Sequence, residues 1–162
     1  MSEVDIIPYA PNFRDEVVSL AISAWTPVFA LTRNEVPGFV YEAFYPKGWE
    51  ARQGADVASL LDSQADMIWL ASQGGVVAGF VGIRLHPEDQ MGEIHILAVS
   101  PERQRQGLGR TLLTFAENEI RDCGMKMVMV ETVGDSGHEP ARRIYESVGY
   151  RRWPVARYFK PL

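Results

Sequence analysis

The spacing of apolar positions along the chain shifts between a period of two and a period near 3.6, and those shifts mark out the elements. Residues 4–8 open as a short strand. Phe13, Val17, Leu20, Ala21 and Ala24 follow at helical spacing behind Asn12, which reads as an N-cap. This helix is expected to end near Trp25, where Pro27 removes a donor and crowds the preceding turn. From 26 to 63, Pro27, Pro37, Gly38, Pro46 and Gly48 cut the chain into short helical pieces, the last over 49–62. The period then changes to that of strands. Residues 67–72, Gly74-Gly75 and 76–85 read as a hairpin whose turn the glycines supply. Residues 91–99 form the next strand, ended by Pro101.

Over 107–122, Leu108, Leu112, Leu113, Ala116 and Ile120 make one apolar helical face, and Gly124 closes the helix. The apolar run 126–133 predicts a strand buried on both faces. Pro140 suits a first helical turn, with Ala141, Ile144, Tyr145 and Val148 at i, i+3, i+4 and i+7, and Gly149 ends the helix. Two short strands are expected over 150–153 and 155–159, around Pro154. The order β-α-α-β-β-β-α-β-α-β-β, unbroken by any linker, predicts a single α/β domain over 1–162 with a mixed sheet. Its strand–helix–strand passage at 91–133 predicts a parallel crossover.

Composition narrows the classes. The chain has 162 residues, enough to bury a core, and its 46% hydrophobic and 23% charged content is that of a globular domain. A net charge of −5 argues against nucleic acid as a partner and mildly favours cationic or neutral substrates. No apolar run approaches the ~20 residues of a membrane span, and MSEVDIIPYAP carries no signal-peptide pattern, so a cytoplasmic protein is expected. No Cys/His cluster has zinc spacing, so no metal is expected. The lone Cys123 is expected to be a buried structural thiol. Seven of the seventeen aromatic residues (Trp25, Phe29, Phe39, Tyr41, Phe44, Tyr45, Trp49) fall in the irregular segment, where they either pack it down or line an apolar pocket.

The sharpest chemical feature is Gln104-Arg105-Gln106-Gly107-Leu108-Gly109, set between a strand and an amphipathic helix. Amides at a helix N-terminus form an anion site, and glycines let the backbone approach a phosphate closely. Arg103, Arg105 and Arg110 add positive charge at the same place. The pattern has neither the G-x-G-x-x-G order of dinucleotide folds nor the G-K-[ST] of nucleoside triphosphate loops.

The Gln-x-x-Gly-x-Gly turn after Glu93-Ile-His-Ile-Leu-Ala-Val99 resembles the acetyl-CoA signature of the GNAT N-acetyltransferases. The stretch Ala141-Arg-Arg-Ile-Tyr-Glu-Ser-Val-Gly-Tyr150 is similar to that family's second recurring motif. The resemblance implies the GNAT acyl-CoA N-acyltransferase fold and transfer of acetyl from acetyl-CoA to a primary amine, on a small molecule or a peptide, by direct attack. Its alternative is a catalytically silent acyl-CoA-binding sensor. The resemblance further implies that the backbone of Leu97, Ala98 and Val99 pairs with the pantetheine arm. The pyrophosphate then rests on the amides of Arg105, Gln106, Gly107, Leu108, Gly109 and Arg110, behind Gln104. Tyr145 matches the general acid of many members, though it also suits a core position on its helix. Glu93 matches a glutamate base. Glu131 and His95 are further candidates, and an ordinary ion pair is the plain reading of either acid. His138 stands where the family often has asparagine beside the cofactor arm. A short C-terminal strand in relatives implies a homodimer, and the acceptor pocket is expected from residues 25–49 together with 153–158.

Overall fold

A computed structural model describes residues 3–162. In chain order it contains β1 (Val4–Pro8), α1 (Arg14–Glu35), α2 (Gly38–Phe44), α3 (Trp49–Ser63), β2 (Ile68–Gln73), β3 (Val76–His86), β4 (Met91–Val99), α4 (Leu108–Asp122), β5 (Met127–Val130) and α5 (Glu139–Ser147). The strands form one sheet in the order β1-β2-β3-β4-β5. Neighbours are antiparallel except β4 and β5, which run parallel. The mixed α/β sheet and its parallel crossover are therefore as the sequence pattern predicts.

The chain divides into two compact units, Met1–Ala24 with Gln53–Glu131 and Trp25–Arg52 with Thr132–Leu162. The first holds the whole sheet. Its hairpin turns on Gly74 and Gly75, both at positive φ (62° and 81°), which glycine adopts without strain. The five apolar residues predicted for α4 are all buried in the core with Phe80, Leu70 and Ile83. On the sheet face that α4 covers, the close approach depends on glycines: a Cβ at Gly92 would lie 2.3 Å from Ile120 Cγ2. Ile120 is itself buried, so neither side can yield cheaply. Gly92→Ala is expected to cost about 2 kcal/mol of stability by overpacking, read as a lower urea midpoint.

Elsewhere in this unit, Gly54 of α3 sits against Val18 and Ile22 of α1, each 3.9 Å from where its Cβ would be. The Arg14 fork grips the Asp62 carboxylate at 2.8 and 2.9 Å, which raises the guanidinium and lowers the carboxyl from their ordinary values. Glu16 Oε1 accepts the Val77 amide proton at 3.0 Å.

Several expectations are corrected. Asn12 lies inside a single 3-10 turn, Pro11–Phe13, whose cap position is Ala10, and α1 begins at Arg14. That helix continues through Pro27 to Glu35. A proline forfeits only its own backbone bond and crowds one preceding turn, which a helix of 22 residues survives. The strand predicted over 126–133 is only Met127–Val130, partly or fully exposed, because it is the sheet edge with a ladder on one side. Apolar periodicity cannot separate an edge strand from a central one.

The strands expected over 150–153 and 155–159 do not form. No other described strand offers them a ladder, and Trp153, Val155 and Tyr158 are more than four-fifths exposed. Cys123 is exposed, not buried, because it is the C-cap of α4, where Gly124 at φ 82° turns the chain away.

In the second unit, four rings of the irregular segment meet. Phe29 stacks on Trp49 at 4.4 Å between centroids and meets Tyr45 edge-on at 5.4 Å, and Tyr41 lies 4.9 Å from Tyr45. Phe159 contacts Phe44 at 5.8 Å.

Candidate active site

β4 pairs with β3 along its whole length, from Met91 opposite His86 to Val99 opposite Gly79. Its ladder with β5 is shorter and stops at Ile94 opposite Val130. From His95 to Val99 the β5-side edge of β4 is therefore open among the described residues. Successive strand residues turn their amide and carbonyl to opposite edges. The Ser100 amide bonds the Ala78 carbonyl, which puts those of Leu97 and Val99 on the open side, where an extended ligand could pair, and those of Ala98 toward β3.

A single 3-10 turn, Pro101–Arg103, joins that open edge to the Gln104–Gly109 turn. Gln104 is extended, and its side chain folds back to donate from Nε2 to the Val99 carbonyl at 3.1 Å. Gln106 Nε2 donates to the Glu102 carbonyl at 3.1 Å. Arg105 takes φ 61° and Gly107 takes φ 83° as the N-cap of α4. An arginine in the left-handed region costs about 1 kcal/mol, a strain the surrounding bonds must hold. The first helical bond is Thr111 N–H to Gly107 O at 3.0 Å, so the amides of Leu108 and Gly109 stand ahead of it. The first turn of α4 contains no acidic residue, which leaves the positive end of the dipole unopposed. The Leu108 side chain is buried in the core, so this residue can offer a ligand only its backbone.

Glu93 lies on β4 between Gly92 and Ile94. Glu93 pairs with Arg84 on the face opposite α4, and His95, the extra residue where the β3–β4 register shifts, brings its ring back beside Glu93. Its carboxylate is engaged at both oxygens: His86 Nε2 lies 2.8 Å from Oε2, and His95 Nδ1 lies 3.3 Å from Oε1. Burial alone would push this carboxyl up, yet the two imidazole bonds hold it below its ordinary value. His86 was not among the residues the sequence singled out. Its signal was weak but present: at the far end of β3 it stands two residues from Arg84, the partner of Glu93 in the ladder. Glu131 follows β5 and is exposed.

His138 and Tyr145 belong to the second unit, in the turn that leads into α5 and on α5 itself. Asp135 anchors the turn. Its Oδ1 accepts from the His138 amide at 3.0 Å and lies 2.5 Å from His138 Nδ1, and Thr32 Oγ1 reaches its Oδ2 at 2.7 Å. Arg142 donates to the carbonyls of Val133 and Asp135, both at 2.7 Å. With Nδ1 committed to Asp135, the outward-acting atom of His138 is Nε2. Tyr145 lies on α5 itself, beyond its N-cap His138. Burial raises its phenol above the ordinary 10.0, so the hydroxyl keeps its proton at neutral pH.

Burial also raises Asp135, but the bonds from His138 and Thr32 bring it below its ordinary value of 3.8. A depressed carboxyl stabilises the fold above the unfolded pKa and loses that contribution as pH falls towards the folded one. Asp135→Asn is therefore expected to lower the urea midpoint, by about 1–3 kcal/mol of stability at neutral pH. The gap to wild type should narrow as pH falls below the unfolded value and through the lower folded one.

The second unit also contains a cavity of about 430 Å³, lined by Phe29, Tyr41, Tyr45 and Trp49 with Arg33, Glu42 and Glu50 at its polar positions. Four of the seven aromatic residues of the irregular segment thus line a pocket, and residues 153–158 take no part in it.

Residues 36–150 match the model of the acetyltransferase (GNAT) family. A mycothiol acetyltransferase from Thermomonospora curvata is 38% identical over 88 residues, 54% of this chain and 29% of that protein. The chain spans about a third of the length of the curated relatives it matches. Among solved structures, the PaiA N-acetyltransferase from Thermoplasma acidophilum in complex with coenzyme A superposes with a TM-score of 0.70. It is 15% identical, with 95% of this chain and 93% of that one covered. A GNAT family acetyltransferase from Brucella melitensis in complex with acetyl-CoA gives a TM-score of 0.64 at 18% identity, covering 94% and 85%.

Proposed function

Because this chain belongs to the acetyltransferase (GNAT) family, we propose that it is an acetyl-CoA-dependent N-acetyltransferase that acylates a primary amine by direct attack. The observation that carries the reading is the open edge of β4 over His95–Val99, followed after one 3-10 turn at Pro101–Arg103 by the glycine turn before α4. The backbone of Leu97 and Val99, on either side of Ala98, holds the pantetheine arm as a further strand. The amides from Arg105 to Arg110, with Gln104 bracing the turn, hold the pyrophosphate. The residues present fit that anion: Gly107 has a positive φ, no acid stands in the first helical turn, and arginines flank the turn. His138, whose Nδ1 is committed to Asp135, keeps Nε2 as the atom it can offer to the cofactor.

Acetyl-CoA supplies the activated acetyl group as a thioester. On the protein side, the Glu93 cluster takes the proton of the acceptor's ammonium, freeing the lone pair that forms the new C–N bond. As the C–S bond breaks, Tyr145 gives its phenolic proton to the departing sulfur. Amide and free thiol are the products, and the protons balance through solvent. The aromatic cavity of the second unit has rings and two carboxylates of the kind that suit an organic ammonium, with Arg33 beside them. The chain acts as one acetyltransferase domain in the cytoplasm, readings supported by its unbroken element order and by the want of a signal-peptide pattern, and as a homodimer, which the family resemblance supports.

The test is a thermal shift with acetyl-CoA followed by thiol release against a panel of primary amines. A stabilising shift together with release is the expected result. Absence of any shift overturns the reading, and binding without release on a broad panel replaces it with an acyl-CoA sensor.

A further inference from the structure

We propose that His86 is a positioning residue for proton acceptance: it holds Glu93 so that Glu93 in turn orients His95, whose Nε2 takes the acceptor's proton. This role rests on the acetyltransferase reading above. The geometry is a three-residue relay on one face of the sheet. A carboxylate can only accept, so the ring nitrogens that face it, His86 Nε2 and His95 Nδ1, are the protonated ones. They bind opposite oxygens of Glu93, whose side chain is 17% exposed while the two imidazoles are each about a third exposed. Two donors on two oxygens fix the carboxylate plane, which one donor would leave free to swing. His95 then has its remaining lone pair on Nε2.

The other polar groups around Glu93 leave the relay intact. Arg84 is opposite Glu93 in the ladder, but its Nε donates to Gln64 Oε1 at 3.1 Å. Glu88 Oε1 lies 3.8 Å from His86 Nδ1, on the side away from Glu93. On β5 the ladder partner is Met129, which does not titrate. A carboxylate held ionised through the neutral range is a poor proton acceptor and a good orienting group, whereas an imidazole is suited to the transfer. In the transfer, one ammonium N–H bond breaks and His95 Nε2–H forms, giving an imidazolium beside the Glu93 carboxylate. The amine keeps its lone pair for the acetyl carbon, and His95 later returns the proton to solvent.

The experiment compares wild type with His86→Phe, His86→Asn and Glu93→Gln. The readouts are the pH profile of kcat/KM from thiol release and the ¹³C titration of the Glu93 carboxyl, which needs no turnover. His86→Phe removes one donor, so the Glu93 titration moves up, by roughly half to one pH unit. The plateau of kcat/KM falls about tenfold. Glu93→Gln removes the carboxylate that orients His95 and lowers the plateau of kcat/KM as well. His86→Asn keeps an N–H donor and recovers part of the His86→Phe loss. A His86→Phe protein with unchanged Glu93 titration and pH profile overturns the proposal, as does a uniform loss that asparagine does not relieve. A wild type that binds acetyl-CoA yet acetylates no amine overturns the acetyltransferase reading itself, and is thereby distinguished from failure of the His86 role alone.

Discussion

Replacing Tyr145 with phenylalanine is expected to lower kcat by about 10²- to 10³-fold, the range associated with loss of a positioned general acid. The acetyl-CoA dissociation constant should stay within a factor of about two, because the variant removes only an oxygen and no binding charge. The split follows from when the hydroxyl acts: its proton is needed as the C–S bond breaks and not before. Burial raises the phenol above 10.0, so the proton remains in place through the neutral range. The alkaline loss of rate due to Tyr145 should therefore begin at higher pH than an ordinary phenol would give. The ring contact with Tyr150, 5.9 Å between centroids, survives the substitution, so the melting temperature is a control expected to hold. Stopped-flow thiol release with a saturating amine measures the effect. Equal rates for variant and wild type would remove Tyr145 from the reaction.

The second large effect is expected at the turn. Gly109→Asp places a carboxylate in the first turn of α4, where none stands now. An acid at a helix N-terminus interacts favourably with the dipole, by about 0.3–1 kcal/mol, so the fold should be unharmed or slightly stabilised. The same charge sits among the amides proposed for the pyrophosphate and repels it. Acetyl-CoA affinity should fall by about 100-fold, or ~2.7 kcal/mol. Calorimetric titration together with thermal melting separates the two signs. Weakened binding with a preserved or raised melting temperature supports the anion site, and unchanged affinity would relocate it.

These two expectations differ in how much of their basis was readable from sequence. The turn was readable almost whole, because its chemistry resides in consecutive residues: Gln104, Gly107, Gly109 and the apolar stripe from Leu108 to Ile120 are local facts about one strand-to-helix junction. Even there, the left-handed conformation of Arg105 was not legible, since the pattern assigns such positions to glycine. Tyr145 was readable as a position on a helix, but its raised phenol depends on what surrounds it. Glu93 was identified as an acid on a strand, while its partners were only half visible. Alternation suggests His95 on the same face, though the structure sets it at a register shift of the ladder, and His86 reaches Glu93 only because β3 and β4 reverse and register.

Asp135 makes the same point at longer range. Its hold on His138 is three residues long and lies within reach of a capping argument. Its bond to Thr32 crosses 103 positions and follows from no local pattern. The terminal strands failed for the opposite reason: 150–159 has the composition of strands, but a strand exists only where another offers it hydrogen bonds.

For this protein, then, sequence alone determined the elements with strong periodicity, the mixed sheet with its parallel crossover, and the glycine turn between β4 and α4. Each is set by backbone sterics and by apolar spacing within a dozen or so residues. Tertiary structure alone decided that β4 opens beyond Ile94, that Glu93 carries two imidazoles, that Asp135 commits Nδ1 of His138, and that four scattered rings enclose a cavity. Those features depend on which distant groups meet and exclude water, and on hydrogen bonds that either find a partner in space or do not form.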